Sequence, residues 1–218
     1  MDTDGKTSRE RYRAQVRAEI KRYAWEQLAT AGVSALSLNA IARHVGMSGP
    51  ALYRYFACRD DLVTDLIRDA YRSLADTVQA AAASGGVAEV AYAVREWALA
   101  DPQRYLFIYG TPIPGYRAPG DTTAISNEIM AALIEVHAAC PDDGRVTPFD
   151  GHLEDHREWA GDSPVRSAVL RRAVTFWTRL HGVLSLELAG HFDGMGFDPA
   201  LLFAAELDDL LAGAPQSS

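Results

Sequence analysis

The chain has 218 residues, a formal charge of −8, and 48% apolar against 23% charged residues, which is the composition of a folded globular protein and excludes global disorder. Two cysteines, Cys58 and Cys140, are too few for a disulfide scaffold, and no run of about 18 uncharged apolar residues offers a membrane span. The acidic total argues against a nucleic-acid partner, yet residues 1–60 hold ten Lys or Arg against six Asp or Glu, a balance of +4, so residues 61–218 carry −12.

In chain order the pattern is helical almost throughout. Residues 1–13 are polar and charged with no apolar core, so a cytoplasmic chain without a signal peptide is expected, ordered from about residue 9. Val16, Ile20, Ala24 and Leu28 recur every four residues and predict a first helix over 9–31, closed by Gly32 as a left-handed cap. Ser37 offers an N-cap for a second helix over 38–45, which Gly46 ends. Ser48 caps a third, with Pro50 in its first turn, running to about Phe56. Asp60 and Asp61 open a long fourth helix to Ala83. Further helices are expected over 87–100, 102–109, 121–140, 164–190 and 199–212. The Pro- and Gly-rich stretch 110–120 reads as a loop, the polar and acidic stretch 141–162 as an irregular one, and 213–218 as a frayed tail. With no period-2 alternation, the expected class is all-α with about nine helices.

The segment 38–56 has a finer structure. Ile41, Ala42, Leu52 and Phe56 can pack inward across the tight Gly46-Met47-Ser48 turn. The face left outside is small at the start of the third helix and aromatic or basic further on. Small residues let a backbone approach bases, and longer donors reach phosphates. A helical corner in an enzyme fits the same pattern equally well.

Four separated features then agree: the Gly32 turn, the Ile41-Ala42 pair, the Val45-Gly46-Met47-Ser48 turn and the Leu52-Tyr53-Arg54-Tyr55-Phe56 run, followed by Arg59-Asp60-Asp61-Leu62. Together, over about residues 9–65, they resemble the DNA-binding signature of the tetracycline-repressor (TetR) family. The resemblance implies a three-helix helix-turn-helix domain over 1–59 and a ligand-sensing and dimerising domain over 60–218. It implies a homodimeric transcription regulator, most often a repressor, that binds a palindromic double-stranded operator and is released by a small molecule. It implies Ser37, Tyr53 and Arg59 at phosphates, Asn39, Gly49, Pro50 and Ala51 at bases, and Tyr55 at the groove edge, with Ser48 and Arg54 completing the face. Ala51 departs from the polar residue usual at its position, which weakens hydrogen-bonded readout there, and Arg59 replaces a usual lysine.

In the acidic body, Phe176-Trp177 followed by His181-Gly182 resembles the Trp-x-x-x-His-Gly signature of one C-terminal subgroup of the family. Most body aromatics are expected in the core. As a group around the 110–120 loop, Trp97, Phe107, Tyr109, Tyr116, Phe176, Trp177 and His181 are the candidates for an apolar effector pocket. Gly182 is expected to permit close helix approach. Leu180, Val183, Leu184, Leu186, Leu188, Leu201, Leu202, Leu207, Leu210 and Leu211 mark the last two helices as the dimer surface, in a four-helix bundle with a second copy. No cofactor, metal or catalytic group is expected. His152, Glu154, Asp155 and His156 are close in sequence but lack a clear third ligand, and no phosphate loop or nucleophile elbow occurs. The competing reading is a cytosolic all-α binding protein or enzyme that does not bind an operator.

Overall fold

A computed structural model describes residues 8–110, 113, 116, 119–141, 144–161 and 163–212. The expected tail at 213–218 and most of the 110–120 loop lie outside these residues. Among the described residues the fold is all-α, with no strand and with ten α-helices rather than nine. They are α1 (Ser8–Ala31), α2 (Leu38–His44), α3 (Gly49–Leu52), α4 (Arg59–Ser84), α5 (Val87–Ala100), α6 (Pro102–Tyr109), α7 (Gly120–Ala138), α8 (Pro148–Asp155), α9 (Ser167–Leu188) and α10 (Pro199–Ala212). Short 3-10 turns occur at Val33–Ala35 and Glu158–Ala160.

Contacts divide the chain into two compact units. The first holds α1 to α3 and α4 up to Asp69, together with Ile113 and Tyr116. Val16, Ile20, Ala24 and Leu28 of α1 are all buried in it, as their spacing requires. Leu36, Leu38, Ile41, Ala42, Leu52, Phe56, Leu62, Val63 and Leu66 are buried with them. The second unit is organised on α9, which packs against α10, α8, α7, α5 and α6. Its core includes Leu74, Val90, Val94, Tyr105, Ile129, Leu133, Leu170, Phe176, Leu184 and Phe203.

Three local differences from the sequence expectations have physical causes. The stretch 141–162 is not wholly irregular. Thr147 accepts a hydrogen bond from the Asp150 amide at 3.3 Å and returns its own amide to Asp150 Oδ2 at 2.6 Å, a capping box with Pro148 at the first helical position. Those bonds start α8, Leu153 buries its apolar side, and Arg171 holds Asp150 at 2.9 Å. Helix α3 ends at Leu52, and residues 53–55 form turns instead of reaching Phe56 as helix; the Ser48 hydroxyl makes no capping bond. Gly32 does take a positive φ of 71°, but its ψ of 176° is extended, so it turns the chain into the Val33–Ala35 turn instead of making a left-handed cap.

Candidate nucleic-acid interface and effector pocket

The first candidate site is the outer face of α2 and α3. Ser37 caps α2, its hydroxyl accepting from the Ala40 amide at 3.3 Å, while its own amide donates to Gln27 Oε1 at 3.0 Å. This fixes the entry of α2 against α1. Asn39 is exposed two residues on, and a Cβ built on Gly49 would lie 3.6 Å from Asn39 Oδ1. The turn at Gly46 (φ 68°) therefore brings the Asn39 amide beside the start of α3. Ser48 and Pro50 are exposed, and Gly49 and Ala51 are half-buried. Tyr53 is 46% exposed, Arg54 is exposed and Tyr55 half-buried. Eight of the ten sequence candidates, from Asn39 to Tyr55, are thus exposed or half-buried, and Ser37 is half-buried at the α2 cap. Arg59 is partly committed elsewhere, donating to the Val33 carbonyl at 2.5 Å and lying 3.6 Å from Asp60.

Sequence reasoning missed the arginines that support this surface. Arg17 donates to the Tyr55 carbonyl at 2.8 Å and to Asp65 at 2.7 Å, with its guanidinium 4.4 Å over the Phe56 ring. Arg13 donates to the Arg54 carbonyl at 3.3 Å. Periodicity puts both on the wet face of α1, and only the fold shows that this face meets the end of the helix-turn-helix. Lys21 completes the network by pairing with Asp69 at 2.5 Å and Asp65 at 3.7 Å.

The second candidate site lies in the second unit. Tyr109, Trp177 and His181 come together, with ring centroids 5.9 Å (Tyr109–Trp177), 4.4 Å (Tyr109–His181) and 3.9 Å (Trp177–His181) apart. Tyr71 meets Tyr109 edge-on at 5.9 Å. The remaining sequence candidates are elsewhere. Phe176 is 2% exposed, with its ring against His137, so it is core. Trp97 donates its indole N–H to Ser73 at 3.0 Å. Phe107 is half-buried, and Tyr116 belongs by contacts to the first unit. Tyr105, one of the body aromatics, and Ser185 were not among the seven pocket candidates. The Tyr105 hydroxyl sits 2.9 Å from His181 Nδ1 and 2.8 Å from Ser185 Oγ. Only its place one turn before Tyr109, on the same helix face, gave any signal. Burial pushes the Tyr105 hydroxyl up to about 12 and the Tyr109 hydroxyl well above its ordinary value, and lowers His181 to about 4. All three are neutral at pH 7. Nothing lies within 4 Å of a Cβ built on Gly182, so within one chain this glycine permits no close helix contact, against expectation.

A second hollow is lined by Arg145, Arg171, Arg172 and Arg179. Arg171 binds Asp150, Arg179 pairs with Glu206, and Arg172 donates to the carbonyls of His137 in α7 and of Pro141 just beyond it, so these three charges serve the fold. No cluster of three or more metal-ligating side chains occurs among the described residues, and His152 stacks on His156 at 4.2 Å. Among the described residues no helix is long and apolar enough to cross a membrane. The ten leucine-type positions offered as a dimer surface divide. Leu180, Val183, Leu184 and Leu207 are buried in their own chain, whereas Leu186, Leu201 and Leu211 are 44%, 70% and 38% exposed.

Comparison with known proteins agrees with this geometry. Residues 20–66 match the domain family described as bacterial regulatory proteins, tetR family. Residues 87–210 match that described as tetracyclin repressor-like, C-terminal domain. The HTH-type transcriptional regulator Mb1846 of Mycobacterium bovis is 36% identical over 217 residues, which cover 92% of each chain. The crystal structure of SCO4313 superposes with a TM-score of 0.89 at 65% identity, covering 94% of this chain and all of that one. NalD, the secondary repressor of the MexAB-OprM multidrug efflux pump in Pseudomonas aeruginosa, shares the fold at a TM-score of 0.52 and 16% identity, covering 95% of this chain and all of NalD.

Proposed function

The chain belongs to the tetR family of bacterial transcriptional regulators, and from that premise we propose that it is a homodimeric repressor that binds a palindromic operator and is released by a small molecule. The observation that carries the DNA-binding half is the exposed face on which Asn39 stands beside Gly49 while Ile41, Ala42, Leu52 and Phe56 are all buried behind it. Asn39, Gly49, Pro50 and Ala51 face bases. Ser37, Ser48, Tyr53 and Arg54 position the head on phosphates, with Tyr55 at the groove edge. Arg59 uses the donors that Val33 leaves over. Residues 1–59 are the reading head, and 60–218 sense the effector and dimerise. Two heads read half-sites about one helical turn apart, roughly 34 Å. The exposed leucines of α9 and α10 supply the dimer contact.

The effector half rests on the cluster of Tyr109, Trp177 and His181, with Tyr105 and Ser185 behind it. Helix α4 contributes residues to both compact units and is the element through which effector binding alters the heads. A 100-fold release of operator needs about 2.7 kcal/mol of difference in effector affinity between the two states. The test is fluorescence anisotropy on operator DNA. Tyr53→Phe and Arg59→Ala weaken binding to all sequences, whereas Asn39→Ala relaxes preference at one base position by about 1–3 kcal/mol. Salt-independent binding, or an equal loss at every base for Asn39→Ala, contradicts the assignment.

A further inference from the structure

Tyr109, Trp177, Thr178, His181, Gly182 and Ser185 line an open hollow on the second unit. None of the six is charged at neutral pH, because burial keeps His181 deprotonated and the Tyr109 hydroxyl protonated. His181 Nδ1 is engaged by the Tyr105 hydroxyl. His181 Nε2 and the Tyr109 hydroxyl are buried with no hydrogen-bond partner among the described residues. The indole of Trp177 leans on the imidazole at 3.9 Å and meets Tyr109 nearly edge-on, at 73°. A Cβ built on Gly182 would meet nothing within 4 Å among the described residues of its own chain, and Gly182 stands one turn before Leu186, so the second copy flanks this side of the hollow in the proposed homodimer.

We infer that the effector of this hollow is an uncharged molecule with a planar aromatic body, whose ring lies against Trp177 and whose polar end hydrogen-bonds the Tyr109 hydroxyl and His181 Nε2. The inference rests on the reading of the body as an effector sensor. It follows from what the walls offer and withhold. An ion entering here loses hydration and finds no opposite charge among the six side chains. A neutral polar end gives two buried groups the partners they lack, and such groups are costly to leave unpaired. The indole and phenol faces favour an offset or edge-on ring. Both polar atoms are covered, so the Tyr109 or Trp177 ring turns aside as the ligand enters. Binding therefore selects an opened arrangement of α6 and α9, as a release mechanism requires.

The test uses two probes of one shape, 4-hydroxybenzamide and 4-hydroxybenzoate, titrated by calorimetry into the full chain at pH 7.5. The expected result is binding of the neutral amide at least tenfold tighter than the carboxylate. Tyr109→Phe and His181→Phe each weaken the amide about tenfold. Tyr109→Phe removes a single oxygen that lacks a partner, so its melting temperature without ligand stays equal or rises, which separates lost recognition from lost folding. Equal or tighter binding of the carboxylate overturns the inference. So does no binding of the amide at 10 mM, or an unchanged affinity in the doubly substituted chain. Operator binding measured on the same protein without probe tests the regulator reading separately, because these variants leave the head untouched.

Discussion

Arg17 shows how much one side chain outside the reading face contributes to it. Its planar fork joins the Tyr55 carbonyl, at the end of the helix-turn-helix, to Asp65 on α4, and its flat face covers Phe56. Lysine cannot satisfy both acceptors in one plane. Arg17→Ala is expected to lower unfolding stability by about 1–2 kcal/mol, because two charge-assisted bonds are lost at a half-buried site. Arg17→Lys recovers part of that stability but little of the operator affinity; urea melts and anisotropy on one operator check both. His181 offers a second test at this scale. Its folded-state value of about 4 lies below the ordinary 6.5, so the unfolded chain binds the extra proton between those limits. Its contribution to stability is therefore fully present above pH 6.5 and is lost as pH falls toward 4. The loss is on the order of 3 kcal/mol for a shift of this size. His181→Phe should flatten that part of the pH–stability curve relative to the parent chain, and an unchanged slope would count against a buried neutral imidazole.

At the scale of elements, α3 and α8 show what a sequence discloses and what it conceals. The four-residue period of α1, the Ser37 cap and the Val45-Gly46 turn were legible because each is a local signal with a local cause. The start of α8 was equally local, since Thr147, Pro148 and Asp150 spell a capping box, but its polar setting masked it. Thr147→Ala should cost about 1 kcal/mol in an equilibrium melt. The pairing of Tyr105 with His181 and Ser185 was not legible, because it joins residues 76 and 80 positions apart on α6 and α9. Arg17 was hidden for the same reason: sequence can show that a face is charged but not what it meets. Gly49 gives a sharper element-scale prediction. A methyl there makes only an ordinary 3.6 Å contact with Asn39, so Gly49→Ala should fold with an unchanged melting temperature. Its operator affinity should nevertheless fall at least tenfold, because the added methyl stands between α3 and the bases. Undiminished binding would remove α3 from the groove.

For the whole molecule, the charge of −8 combines a head at +4 with a body at −12. The excess on the head is modest, so non-specific DNA binding should be weak, and in the proposed homodimer affinity comes from shape and from two heads acting together. The proposed dimerisation is thus central, and Leu186, Leu201 and Leu211, exposed on α9 and α10, are where it should be broken. Leu201, 70% exposed on α10, can become Asp without disturbing the core of its own chain. Light scattering should then report a monomer with a near-parental helical circular-dichroism spectrum. The measurement that bears most directly on the regulator reading is selection of operator DNA from a random pool by the purified protein, followed by a salt titration on the winning sequence. A two-fold symmetric site, bound by two chains with an affinity that falls steeply with salt and is lost in Leu201→Asp, is the result expected. Failure to enrich any sequence, or enrichment of an asymmetric site bound equally well by the monomeric variant, would contradict it.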